Sequence, residues 1–176
     1  MNDTEIAQTA ELLKKLPPGY VPYPIFEQIA RIAALPIVEF IPLRAMPDGA
    51  VQVLLIERPA NDPLFAGLLH TPGTVVRATD AHTGEQDDWP AFKRIMHDEL
   101  LDTEVGPPYY VGSIFHASKR GAEQAQLYWI EVLSEPRVGT FYDVAALPKD
   151  LMESQVAFIK QAADNFVQCK SNNVRS

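Results

Sequence analysis

Residues 64–101 read LFAGLLHTPGTVVRATDAHTGEQDDWPAFKRIMHDELL, a Gly/Pro turn and a polar loop followed by one helical stretch, with β-rich segments on both sides. This placement restricts the fold more than any other feature. A sheet whose strands are interrupted by a helix can be covered by that helix on one face and by a closing helix on the other. Asp87 or Asp88 can cap the helix start, and Pro90 suits its first turn, where a missing N–H does no harm. Phe92, Ile95, Met96 and Leu100 then recur at helical spacing, one apolar stripe for a core. Asp98 and Glu99 lie one turn below Arg94 and Ile95. Two adjacent hard-oxygen ligands suit a divalent cation such as Mg²⁺, which needs only one or two carboxylates beside waters and substrate phosphates.

The rest of the chain supplies sheet and cover. Residues 3–16 are amphipathic, with Thr4 as a cap, and Pro17-Pro18-Gly19 ends them. Residues 23–34 predict a second helix with Pro24 in its first turn. PIVEFIPLR at 36–44 and VQVLLIE at 51–57, joined by Pro47-Asp48-Gly49, predict a hairpin. Residues 109–117 and 126–133 are β-like, joined by a loop SKRGAEQ, and a short strand begins at Phe141. Residues 151–166 close the chain as an amphipathic helix. The expected architecture is α+β, an α/β/α sandwich with a mixed sheet: an N-terminal helical extension over 1–35 and one domain over 36–176.

At 176 residues the chain can bury a proper core, and 47% apolar with 22% charged residues is ordinary for a globular protein. No apolar run is long enough to span a bilayer, and MNDTEIAQTAELLKK lacks a basic start followed by an apolar core, so a cytoplasmic location is expected. Cys169 is the only cysteine, which leaves no disulfide framework. The net charge of −8 argues against a nucleic-acid footprint, which needs clustered Lys and Arg. It leaves room for a small phosphorylated ligand met by one metal and a few arginines.

Several blocks occur in a telling order. They are Leu54-Leu55-Ile56-Glu57-Arg58-Pro59, Gly67 to Gly73, the helix with Arg94 and Asp98-Glu99, and Phe141-Tyr142-Asp143 before Leu147-Pro148. Together they resemble a Nudix hydrolase over roughly residues 36–166. The resemblance implies an α/β/α sandwich and metal-dependent hydrolysis of nucleoside diphosphates linked to another group. Against the signature G-x5-E-x7-REUxEExGU, Thr74 replaces a turn glycine, Ile95 follows the arginine, and Leu101 replaces the final glycine. Glu85 after Gly84 resembles the Gly-Glu pair but comes late, with Asp80 nearer the expected place.

Residues 91–100 are similar to the GDP-mannose mannosyl hydrolase branch, which also carries an aliphatic residue after the arginine. That resemblance implies one Mg²⁺, with Mn²⁺ as the alternative, held by the Gly73 carbonyl, Glu99 and Glu135 of the SEPRVG loop. It implies substrate contacts from Arg58 and Glu39, with Arg77 standing in for a turn arginine. The branch's general-base histidine falls near Pro136, which leaves Asp98, Glu85, His116 and Asp80 as candidate bases. The expected ligand is a small nucleotide, with no nucleic acid or membrane partner and a homodimer left open. The alternative is a Nudix-fold binding or regulatory module without catalysis, favoured by Ile95, Thr74, Leu101 and Pro136. A third reading is a pyrophosphatase whose ligands have migrated to Glu85 and its loop.

Of the remaining polar residues, Arg94 is expected to orient the turn or the glutamate, and His97 to lie on the surface. His70 reads as a core-facing structural histidine or a substrate contact. Lys119-Arg120 reads as a solvated loop tip or a diphosphate clamp.

Overall fold

The structure, a computed structural model, describes residues 1–81 and 89–173. In chain order these form α1 (Asp3–Leu13), α2 (Tyr23–Ile32), β1 (Leu35–Ala45), β2 (Val51–Glu57), β3 (Leu69–His70) and β4 (Gly73–Val75). Then follow α3 (Pro90–Asp98), β5 (Tyr109–Ser118), β6 (Gly121–Glu131), β7 (Thr140–Asp143) and α4 (Glu153–Asn173). The sheet runs β3-β2-β1-β6-β5, with β4 added to β1 and β7 to β2. β1 and β6 are parallel and the other pairings antiparallel, so the sheet is mixed.

β1 carries two prolines in the middle of a sheet, where a missing N–H normally breaks a ladder. The pairing explains how both are accommodated. Residues 37–39 pair with β4 and residues 43–45 with β2, so Pro36 and Pro42 fall outside those registers. The Phe40 N–H points to the β4 side, where it bonds the Pro72 carbonyl, and Pro42, two residues on, directs its nitrogen the same way.

Alternation along β1 and β2 splits the apolar residues between two cores. Ile37, Ile41, Leu43, Val53 and Leu55 pack with Phe158, Ile159, Ala162 and Phe166 of α4. Val38, Phe40, Leu54 and Ile130 pack with Ala91, Phe92, Ile95 and Leu100 on the α3 side. Two helices thus cover opposite faces of one sheet. α2 joins the α4 side through Phe26, Ile29 and Ala30. Helix α1 buries nothing, and among the described residues no helix is long and apolar enough to cross a membrane.

Several expectations are corrected. α1 is capped by Asn2, which accepts from the Glu5 N–H in a reciprocal box, not by Thr4. α1 and α2 end earlier than expected, at Leu13 and Ile32, and α4 runs past Phe166 to Asn173. The SKRGAEQ loop shrinks to a tight turn because β6 begins at Gly121. The short strand β4 was not foreseen, whereas His70, read at a core-facing strand position, does lie buried in β3. Pro90 does open α3, with Trp89 as the N-cap residue, while Asp87 and Asp88 lie outside the described residues. The helix ends at Asp98 with Glu99 as its C-cap, and Leu101 and Asp102 then turn left-handed at φ 49° and 56°.

Candidate functional site

Glu39 and Gly73 stand opposite each other across the β1/β4 pair. The Glu39 carboxylate fills the space over Gly73 so fully that a Cβ there would collide with it. Only glycine permits this approach. Glu39 is 6% exposed, and the Thr71 hydroxyl lies 3.2 Å from its Oε2. Gln155 of α4 completes the network: its Oε1 accepts from the Thr71 hydroxyl and, at 3.4 Å, from the Thr71 N–H. The single hydroxyl proton serves one acceptor at a time, so a protonated Glu39 that donates to Thr71 while Thr71 donates to Gln155 satisfies all three groups.

Glu99 reaches the same glycine from the end of α3, and the Gly73 N–H donates to its Oε2 at 3.3 Å. Burial pushes Glu99 up to about 7, with the nearby Asp98 charge adding to the effect and the Gly73 N–H and Arg58 opposing it. Burial also lifts Glu39 to about 8, helped by the Glu99 charge and opposed by Arg120, Thr71 and Gln155. Two carboxylates thus meet at one glycine with less positive charge than both need to ionise.

What holds α3 in position is an ion pair of the opposite character. Arg94 bonds both carboxylate oxygens of Asp80, Nη2 to Oδ2 at 3.0 Å, and reaches the Val75 carbonyl at 3.4 Å. Asp80 also accepts the Arg77 N–H at 2.7 Å. Burial alone would raise Asp80, but the Arg94 and Arg77 hydrogen bonds and charges outweigh it and hold it below the usual carboxylate range. Arg94 is therefore a positioning residue that ties α3 to the segment after β4, as expected, and Asp80 is committed to it.

Three arginines face the junction. Arg58 Nε donates to Asp62 at 2.9 Å, and Arg120 Nε to Glu123 at 2.7 Å. Both line a small polar cavity of about 20 Å³ together with Glu39, His70, Gly73 and Gln155, space for about one water molecule. His70 is 5% exposed there; burial and the neighbouring Arg58 charge hold it down at about 4, so it is neutral at pH 7. Beside this cavity a groove of about 680 Å³ shares Arg58, Gly73 and Arg120 with it, adds Arg77 and Glu99, and is walled by Tyr20, Tyr23 and Phe26.

Of the residues named from sequence, Glu39, Arg58, Gly73, Arg77 and Glu99 come together. Gly73 meets Glu99 through its N–H, whereas the expected role of Gly73 was to hold the cation through its carbonyl. Glu135 does not join them. It is exposed beyond β6, lines neither cavity, and its loop is drawn to the end of α3, where Arg137 bonds the Leu101 carbonyl and Thr103. Asp98 is exposed and lines neither cavity, although its charge is felt by Glu99. His116 is set apart on β5, edge-on to Phe158 at 5.2 Å, with Nε2 3.4 Å from Glu123. It lines neither cavity. Glu85 lies outside the described residues. His97 is on the surface as expected.

Thr71, Gln155 and the N-terminal tyrosines were not anticipated, whereas Arg120, read as a loop tip or a diphosphate clamp, sits in the tight turn between β5 and β6 and lines both cavities. Gln155 alone left a trace, as an amide within the apolar spacing of Leu151, Phe158, Ala162 and Phe166.

The donor set fits a divalent cation at the level of two protein ligands. Glu39 and Glu99 are hard oxygen donors whose shared negative charge is incompletely met, the setting in which Mg²⁺ binds with substrate phosphate supplying further oxygens. Among the described residues no three His, Cys, Asp or Glu side chains converge on one point.

No protein-family model matches the chain, and no curated protein does. Solved structures do. The Nudix domain of Shewanella oneidensis NrtR, in complex with ADP ribose, is 19% identical with a TM-score of 0.54, over 94% of this chain and 99% of that one. Shewanella oneidensis NrtR gives 19% and 0.53 over 76% of this chain and 63% of that one. A MutT/nudix family protein from Enterococcus faecalis gives 15% and 0.53 over 96% of this chain and 70% of that one. At these identities the likeness establishes the fold, which is that of Nudix domains.

Proposed function

We propose that the chain is a Mg²⁺-dependent Nudix-type hydrolase of a nucleoside diphosphate derivative, a nucleotide sugar favoured. The observation that carries this reading is the meeting of Glu39 and Glu99 at Gly73, beneath a groove edged by Arg58, Arg77 and Arg120. Glu39 and Glu99 would hold the cation, with Mn²⁺ as the alternative ion; when bound it neutralises diphosphate charge and lowers the pKa of bound water. The arginines would grip the diphosphate oxygens, with Arg58 and Arg120 kept in place by Asp62 and Glu123. Neutral His70 borders the water-sized cavity beside Glu39, where it can accept a hydrogen bond without adding charge.

A second reading is a module that binds the same ligand without turnover. One observation favours it: Ile95, where the family signature carries a glutamate, is 1% exposed in the α3 core and offers no ligand. The NrtR domain that shares the fold was solved with ADP ribose, which makes that compound a suitable first probe.

The test is incubation with ADP-ribose and a panel of nucleotide sugars with Mg²⁺ or Mn²⁺, followed by product analysis, for the wild type and Glu99→Gln. Turnover lost in Glu99→Gln supports the hydrolase. Saturable binding without turnover selects the binding module, and neither binding nor turnover removes both readings.

A further inference from the structure

The groove is lined by two unlike sets of side chains. One is Arg58, Arg120 and Glu99; the other is Tyr20, Tyr23 and Phe26 from the segment before β1. We propose that this N-terminal segment is the base-recognition element, with the aromatic base of a nucleoside diphosphate ligand stacked on Tyr20 and Tyr23 while its phosphates lie among the arginines. The inference rests on the nucleotide reading above and extends it to a part of the chain that the sequence marks only as an extension.

Three observations support it. Tyr20 and Tyr23 are 62% and 42% exposed although they wall a concavity, so their rings are not needed to fill the core. The wall is nevertheless fixed. Phe26 and Ile29 pack on the α4-side core, Phe26 meets Tyr23 with ring centroids 6.4 Å apart, and Gly19, at φ 85°, lies so close to Thr79 that a Cβ would collide with it. That contact fastens the segment to the turn after Arg77, itself a residue of the groove. Finally, about 680 Å³ is within the range of small-ligand sites and ample for a nucleotide. A mobile extension would give none of this pre-organisation. Base-on-aromatic stacking tolerates different bases, which suits a wall of tyrosine rings.

The experiment compares wild type, the double variant Tyr20→Ala/Tyr23→Ala and the double variant Tyr20→Phe/Tyr23→Phe. Calorimetric titration uses ADP and, separately, inorganic pyrophosphate, each with Mg²⁺; melting temperatures verify folding. The alanine variant is expected to lose about tenfold or more in ADP affinity. Its pyrophosphate affinity should stay unchanged, and the phenylalanine variant should bind both as wild type does. Retained ADP affinity in the alanine variant, or equal loss of both ligands, overturns the proposal. A wild type that binds neither ADP nor pyrophosphate instead removes the nucleotide reading itself.

Discussion

Asp80 and Glu39 are buried carboxylates and Glu99 a half-buried one, all near the short strand β4, and Asp80 is treated in the opposite way to the other two. Asp80 receives a guanidinium and a backbone N–H, and its carboxyl lies below the ordinary range. Glu39 and Glu99 are pushed up to about 8 and 7 beside each other, with arginines that point at other acids. A chain that balances one buried carboxylate so fully has the means to balance the others. The difference separates a fastening from a site: charge neutralised inside the fold holds elements together, whereas charge left unneutralised at a groove awaits a cation from outside.

The largest expected effect breaks the fastening. Arg94→Ala leaves Asp80 buried without its partner and should cost ~3 kcal/mol, read from the denaturation midpoint. On the other side, Glu39→Gln replaces the protonated acid by a neutral isostere. It should stabilise the metal-free protein by ~2 kcal/mol at pH 8 while abolishing Mg²⁺ binding. If both substitutions destabilise alike, the two settings do not differ as described.

The fastening and the site were unequally legible in the sequence. Phe92 and Ile95 announce the buried face of α3, and the apolar run in VQVLLIE announces β2, because both patterns are local. Glu39 could be flagged as a carboxylate in need of a partner, but its partners come from register. Gly73 reaches it through the β1/β4 pairing, and Gln155 through the packing of a helix near the C-terminus. The Glu135 expectation followed a related pattern, and the loop folds against Leu101 and Thr103 instead. Arg120 was legible as a clamp candidate, though the tight turn that presents it was not, and the tyrosine wall was hidden because it depends on the contact between Gly19 and Thr79.

A smaller effect should appear on titration. Glutamates with raised folded pKa values stabilise the fold while protonated, and that contribution is lost as pH rises from 4.5 through about 7 and 8. His70, held at about 4, works in the other direction: its contribution is complete above 6.5 and is lost as pH falls toward 4. Asp80 is likewise lost only on the acid side. The window from pH 6.5 to 8 therefore isolates Glu39 and Glu99. In a chelator, stability should fall across it by ~1–2 kcal/mol, a drop of several degrees in Tm, and Mg²⁺ should flatten the fall. A slope that Mg²⁺ leaves unaltered would falsify Glu39 and Glu99 as the cation ligands.

The smallest expected effect concerns the end of α3, where Glu99 is aimed. Leu101 stands at φ 49°, a left-handed conformation that costs a residue with a side chain roughly 1 kcal/mol, and its side chain is 47% exposed and returns little burial. Its backbone does the work, since the Leu101 carbonyl accepts from Arg137 at 3.2 Å and the next N–H closes on Met96 at 2.9 Å. Leu101→Gly keeps both bonds and removes the strain, offset in part by the greater freedom of glycine in the unfolded chain, for a net gain of ~0.5 kcal/mol. The gain should appear in the denaturation midpoint while ADP affinity stays within about twofold, because the change lies on the fastening side. A shift in affinity larger than the shift in stability would mean that the turn at Leu101 sets the position of Glu99, and the boundary between fastening and site would then move to include the end of α3.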